Sequence, residues 1–245
     1  MEEITFDTFE TQNQFQYSAV DMDELGASEY TLVNILVDVS SSVYEFKDGL
    51  EGCIKSIIES TQNHPKSENI LVRVATFSSH GGIREIHGFT PLGMIDLDGY
   101  ALNPDGMTPL YDATADTMDT VRDYADKLAA SDTVDCLNTI FFIITDGMEN
   151  ASKTADAKMI ADTLAALRKS KNLESSMSIL IGVNDVECKD YLEEFVSQSG
   201  LNHFVSMGDA TPKTLASLAN FVSGLVSSTS MVLGSGKSAN VSLNV

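Results

Sequence analysis

The sequence predicts an α/β protein: a doubly wound, mostly parallel sheet with one antiparallel edge strand. Three observations carry this expectation. Short apolar runs rich in β-branched residues alternate with segments whose apolar residues recur at helical spacing. The runs, such as Leu32 to Val37 and Ile140 to Ile144, are apolar almost throughout, as in strands covered on both faces. Two of them, separated by a short turn near Ser78 to Gly82, predict a hairpin and hence one antiparallel pairing. No internal repeat is visible.

Composition bounds the function classes. With 245 residues, 43% of them hydrophobic, and a mean hydropathy of −0.01, a substantial core can form and disorder is not the default. Fifteen Lys and Arg against 36 Asp and Glu give a formal charge of −21. Such a surface repels nucleic acid and anionic membranes, and it favours metal cations or basic proteins as partners. The three cysteines, Cys53, Cys136 and Cys188, lack CxxC spacing and read as structural thiols of a reducing compartment. The first ten residues lack the basic and apolar regions of a signal peptide, and no apolar run approaches the roughly 20 residues that span a bilayer. The expected setting is cytoplasmic, an unusual export route or packaging in a particle excepted.

Residues 1–29 form an acidic N-terminal arm. From Met1 to Phe46 there are ten acidic residues and no Lys or Arg. Ile4, Phe6, Phe9, Phe15, Tyr17 and Val20 partly alternate with polar residues, so edge strands and a solvated acidic arm are both open readings. The main domain is expected over 30–226. Its first strand covers Thr31 to Val37. Val43 to Thr61 reads as a helix, with Val43, Phe46, Leu50, Ile54, Ile57 and Ile58 inward and Asn63, His64 and Pro65 ending it. Strands follow over Asn69 to Phe77 and Ile83 to Phe89. Pro109 to Ala130 is a helix with Thr108 as its N-cap. The remaining order is strand at Asn138 to Thr145, helix at Thr154 to Arg168, strand at Ser176 to Val183, helix at Glu187 to Ser199, strand at His203 to Ser206 and helix at Thr211 to Val226. The Ser-rich tail, 227–245, is either disordered or, through Val241, Leu243 and Val245, a strand added to a neighbouring sheet edge.

The chemistry gathers at one rim. The first strand ends in Asp38-Val39-Ser40-Ser41-Ser42, and ligands of open α/β sheets sit at such carboxyl ends. Asp and Ser offer only oxygen, which suits a hard cation. In a tight turn residues 38, 40 and 42 point inward together. The competing reading for this stretch alone is a capped turn, with Ser42 a plausible helix N-cap and a buried Asp satisfied by backbone N–H groups. Two further segments reach the same rim: Gly106-Met107-Thr108-Pro109-Leu110 and Thr145-Asp146-Gly147.

The ordered set, D-x-S-x-S, then a distant Thr in G-x-T-P-L, then a distant Asp in T-D-G, resembles the von Willebrand factor A domain family and its metal-ion-dependent adhesion site, over about residues 30 to 226. The resemblance implies a Rossmann-like fold and Mg²⁺, or Mn²⁺, at the rim. It implies direct ligation by Ser40 and Ser42, water-mediated charge from Asp38 and Asp146, and a direct or water-mediated bond from Thr108. It further implies a protein partner that supplies an acidic residue to the metal, within a multi-protein assembly. Family members often carry Gly where this chain has Ser41, so the turn differs slightly while the ligand positions are intact.

Other chemistry is weaker. The connection from Thr90 to Thr108 carries Asp96, Asp98, Asn103 and Asp105 but fails the EF-hand order, leaving a second metal site or a solvated acidic loop. Between Glu85 and Thr120 there is no Lys or Arg, so a partner's acid would meet repulsion outside the metal unless basic groups flank it. His64, His80, His87 and His203 lack metal-ligand spacing. The turn after the first strand also resembles the D-x-D motif of aspartyl phosphotransferases, but Ser40 stands where the general acid would be. The expected function is therefore a metal-dependent interaction module, not an enzyme. The alternative is a structural assembly subunit held by its terminal arms, with the metal site secondary.

Overall fold

The computed structural model describes residues 5–62, 67–131 and 133–233. The helix stop at Asn63 to Pro65 and the tail beyond Leu233, with Val241, Leu243 and Val245, lie outside the described residues.

Eight strands form one mixed sheet. In chain order they are β1 (Phe6–Glu10), β2 (Gln16–Val20), β3 (Glu29–Asp38), β4 (Ile70–Ser78), β5 (Gly82–Pro91), β6 (Cys136–Thr145), β7 (Ser175–Gly182) and β8 (His203–Ser206). Their spatial order is β1-β2-β5-β4-β3-β6-β7-β8. The strands from β4 through β3, β6 and β7 to β8 are parallel. β5 folds back antiparallel on β4, as the short turn predicts. The margin then widens: β2 joins β5, and β1 pairs antiparallel with β2. The acidic N-terminal segment thus supplies edge strands.

Helices cover both faces. α1 (Lys47–Gln62) and α5 (Pro212–Leu233) lie on one side, α2 (Leu110–Ala129), α3 (Ala157–Arg168) and α4 (Lys189–Ser199) on the other. Alternate residues of β3 serve the two cores. Val33, Ile35 and Val37 pack with Leu50, Ile54, Leu218 and Val222, while Leu32 and Leu36 pack with Met118, Val121, Leu164 and Phe195. That is why the central strands are apolar without alternation. Among the described residues no helix is long and apolar enough to cross a membrane.

Several boundaries differ from the expectation. α1 begins at Lys47 because Ser41–Glu45 winds as a tight 3₁₀ turn, so Ser42 does not cap it. α2 begins at Leu110 with Pro109 in the N-cap position, and Thr108 stands one residue outside. Both shifts free hydroxyls for the rim. α5 continues to Leu233, past the expected end at Val226.

The N-terminal strands are fastened by a buried charge. Arg73 of β4 is fully buried and bonds Glu85 of β5 and Asn34 of β3. Glu85 in turn accepts from the backbone N–H and the hydroxyl of Ser18 in β2, each at 2.8 Å. The Phe15 ring lies 5.7 Å from the Arg73 guanidinium carbon. Gly88 lets β2 approach: a Cβ there would lie 1.8 Å from the Ser18 carbonyl oxygen.

Candidate metal centre

β3 stands between β4 and β6, where crossovers leave toward opposite sides of the sheet. Such a switch point opens a crevice at the strands' carboxyl ends. The register sets Val37 of β3 beside Ile144 of β6, which brings the next residues, Asp38 and Thr145, together. The Thr145 hydroxyl donates to Asp38 Oδ2 at 2.6 Å, and the Ser40 N–H donates to Asp38 Oδ1 at 2.8 Å. Asp38 and Ser40 are buried. The Ser40 and Ser42 hydroxyls are 3.1 Å apart, and Ser42 donates to Asp146 Oδ1 at 2.9 Å. Four of the five expected site residues therefore form one hydrogen-bonded chain.

Thr108 arrives on the long connection, which is stitched to the turn after β3. Asp105 N–H donates to the Val39 carbonyl at 2.8 Å, and Ser41 N–H to the Gly106 carbonyl at 3.0 Å. Gly106 has φ +77°, and a Cβ there would lie 2.6 Å from Ser79 Oγ, so glycine is required twice over. Thr108 is buried. A Cβ on Gly147 would lie 3.6 Å from the Thr108 hydroxyl, which places that hydroxyl beside the Asp146-Gly147 turn.

The sequence reading missed the groups that hold these loops. Asn150 clasps Thr108: its Oδ1 accepts from Thr108 N–H at 2.8 Å, and its own N–H donates to the Thr108 carbonyl at 3.1 Å. Glu149 accepts from the N–H groups of Tyr111, Ala151 and Ser152. Asp112, in the first turn of α2, accepts from the N–H groups of Lys153, Thr154 and Ala155. Burial acts to raise the Asp112 pKa, but these bonds outweigh it and hold the carboxyl below its usual range. No spacing rule marks such residues, because each acts on backbone far away in sequence.

The electrostatics of the pair are distinctive. Burial pushes Asp38 up to about 7. The bonds from Thr145 and Ser40 oppose that rise, and Asp146 adds repulsion. Burial also raises Asp146, against the bond from Ser42. Two carboxylates held close, one buried and one half-buried, lack positive charge, which a cation supplies. The donor set fits a hard cation: it holds hydroxyl and carboxylate oxygens only. Among the described residues no three His, Cys, Asp or Glu side chains gather as a metal site, so here hydroxyls must complete any shell. Cys188 donates to the Asp146 carbonyl at 3.5 Å, and burial, with Asp185 and Asp146 nearby, pushes its thiol up to about 11, unsuited to a thiolate ligand. On the Thr90 to Thr108 connection, Asp96 and Asp98 are exposed, and Asp105 pairs with His80 at 3.1 Å.

A central, mostly parallel sheet with an antiparallel margin and helices on both faces is a von Willebrand factor A-type fold. Solved structures agree. Proximal thread matrix protein 1 of the mussel byssus, solved with a zinc-occupied metal-ion-dependent adhesion site, is similar at 16% identity and TM-score 0.52, over 82% of this chain and 49% of that one. The pilus adhesin SpaC of Lactobacillus rhamnosus GG is similar at 13% identity and TM-score 0.58, over 92% of this chain and 34% of that one. The vWF domain of the type V pili tip protein Mfa5 from Porphyromonas gingivalis is similar at 11% identity and TM-score 0.54, over 88% of this chain and all of that one. This chain thus spans about half or less of the first two. At such identities the likeness is one of fold. No family model and no curated relative matches the chain.

Proposed function

We propose that the chain is a metal-dependent protein-interaction module. Ser40, Ser42 and Thr108 would hold Mg²⁺ or Mn²⁺ through their hydroxyls, with Asp38 and Asp146 supplying charge through water. Bound there, the cation offers a Lewis-acidic position for a carboxylate of a partner protein. The observation that supports this best is the chain of hydrogen bonds Asp38–Ser40–Ser42–Asp146 at the carboxyl ends of β3 and β6. The adhesion-site metal of the mussel protein adds support by analogy of fold. A non-catalytic role fits the histidines: His87 is engaged with Tyr100, and His80 with Asp105. An intracellular assembly is the favoured setting, on the strength of three cysteines that are all free.

The test is calorimetry with Mg²⁺ and Mn²⁺ on the wild type and on Asp38→Ala, followed by capture of partners with and without EDTA. Binding that survives the substitution removes the reading. A second reading, a structural subunit held by its terminal arms, is favoured by β1, a five-residue edge strand with Phe6 exposed. Assembly that persists in Asp38→Ala but is lost on deleting residues 1–20 selects it.

A further inference from the structure

Seven large apolar side chains are exposed among the described residues, and four of them lie on loops that form or touch the candidate metal centre. Tyr44 is 70% exposed, Val186 67%, Met107 51% and Met148 50%. Three sit within two residues of a site residue in sequence, and the fourth lies on a loop that reaches Asp146. Tyr44 follows Ser42 by two residues, Met107 precedes Thr108, and Met148 follows Asp146 by two. Val186 precedes Cys188, whose thiol reaches the Asp146 carbonyl. The first three loops are joined by the hydrogen bonds that build the site, Ser41 to Gly106, Ser42 to Asp146 and Asn150 to Thr108, and the Val186 loop by that of Cys188 to Asp146. Linked loops therefore leave four apolar groups in water beside one polar centre. Apolar groups rimmed by polar ones mark contact surfaces, and burying them favours association.

The charge around them selects the occupant. Glu45, Asp105, Glu187 and Asp190 are exposed on the same loops or their flanks. Lys47, Lys153 and Lys189 are the bases on these loops and flanks, and Lys47 already pairs with Asp48. With a charge of −21, a second copy of the chain meets repulsion on this face. We propose that the rim docks a protein segment that places one carboxylate between apolar side chains and carries Lys or Arg at its margins. The carboxylate rests on the metal reading above; the apolar and basic preferences rest on Tyr44, Met107, Met148, Val186 and the surrounding acids. Apolar contact supplies affinity, the basic margin lowers repulsion on approach, and the metal sets the register.

The probe is a peptide library with a fixed central Asp and varied flanks, selected on the immobilised full chain in Mg²⁺. Enrichment of apolar residues beside the Asp, with Lys or Arg further out, is expected. A selected peptide should bind the wild type about ten-fold more tightly than the Tyr44→Ser/Met148→Ser variant, while both bind Mg²⁺ equally by calorimetry. Polar or acidic flanks, or no enrichment by a protein that does bind Mg²⁺, would overturn the rim. Apolar enrichment that ignores both EDTA and the fixed Asp would keep the rim and remove the metal reading. Neither enrichment nor Mg²⁺ binding overturns both.

Discussion

The hydroxyl of Ser42 donates to a carboxylate oxygen of Asp146 at 2.9 Å across 104 residues of sequence. This contact joins the turn after β3 to the turn after β6. With the Ser40–Ser42 contact and the Ser40 N–H bond to Asp38, it links both carboxylates of the site through two hydroxyls. Backbone register does the coarse placement, since Val37 pairs with Ile144 one step before the site begins. Side chains do the rest.

Asp38→Asn should abolish Mg²⁺ binding with little loss of fold. Asparagine keeps the shape and an acceptor for the Ser40 N–H but removes a charge that burial disfavours. For the wild type, metal at a hundred times its dissociation constant should add about 2.7 kcal/mol of stability. Thermal melts with Mg²⁺ and with EDTA check this. An equal upward shift in wild type and variant would place the metal elsewhere.

Asn150→Ala should weaken Mg²⁺ binding about three- to ten-fold, because Thr108 loses the amide oxygen that anchors its N–H. Asn150 is exposed and Glu149 still fastens its loop, so the stability cost should stay near 1 kcal/mol. Calorimetry and urea unfolding on the same sample separate the two effects. A large stability loss with unchanged affinity would make Asn150 a fold residue only.

How much of this was legible in the sequence differs by element. The central strands were, because Ile140 to Ile144 and Leu32 to Val37 face helices on both sides and so are apolar at every position. The five candidate residues that the structure brings to one rim could be named from residue type and order. The loops that hold them could not: Asn150, Glu149 and Asp112 act on backbone N–H groups dozens of residues away, and pairing of that kind leaves no local pattern. Helix starts moved for a similar reason. A turn that must carry Ser42 to Asp146 cannot also be the first turn of α1, so a 3₁₀ segment intervenes. The N-terminal residues were ambiguous because their partner is Gly88, whose role appears only when β2 lies beside β5.

Gly88→Ala should loosen the N-terminal strands while sparing the rim. The added methyl would collide with the Ser18 backbone, and backbone cannot swing aside as a side chain can. Limited proteolysis should then cut within residues 5–20 faster than in the wild type, with Mg²⁺ binding unchanged. Unchanged cleavage would mean that β5 yields at its bulge near Val74 and His87 instead.

Arg73→Met should cost about 3–5 kcal/mol, because it leaves the Glu85 carboxylate partly buried without its cation. Urea denaturation measures it. Adding Glu85→Gln should recover part of that loss, and a double variant no better than the single would show that the Ser18 bonds to Glu85 matter more.

Asp116 should make the protein less stable as pH rises from about 4 to 6. It lies on α2, and its pKa is raised to about 6 by burial, then by the neighbouring Asp112 and Asp119. A carboxyl whose folded pKa exceeds its unfolded value binds more protons in the folded state over that window. Stability from this group is therefore fully present below the unfolded pKa and is lost as pH climbs through about 6. Allowing for screening at a partly exposed site, the loss is about 1–2 kcal/mol. Asp116→Asn should remove this slope and stabilise the protein by a similar amount at pH 7. Urea unfolding at a series of pH values compares the two proteins, and parallel curves would mean that Asp116 titrates near its ordinary value.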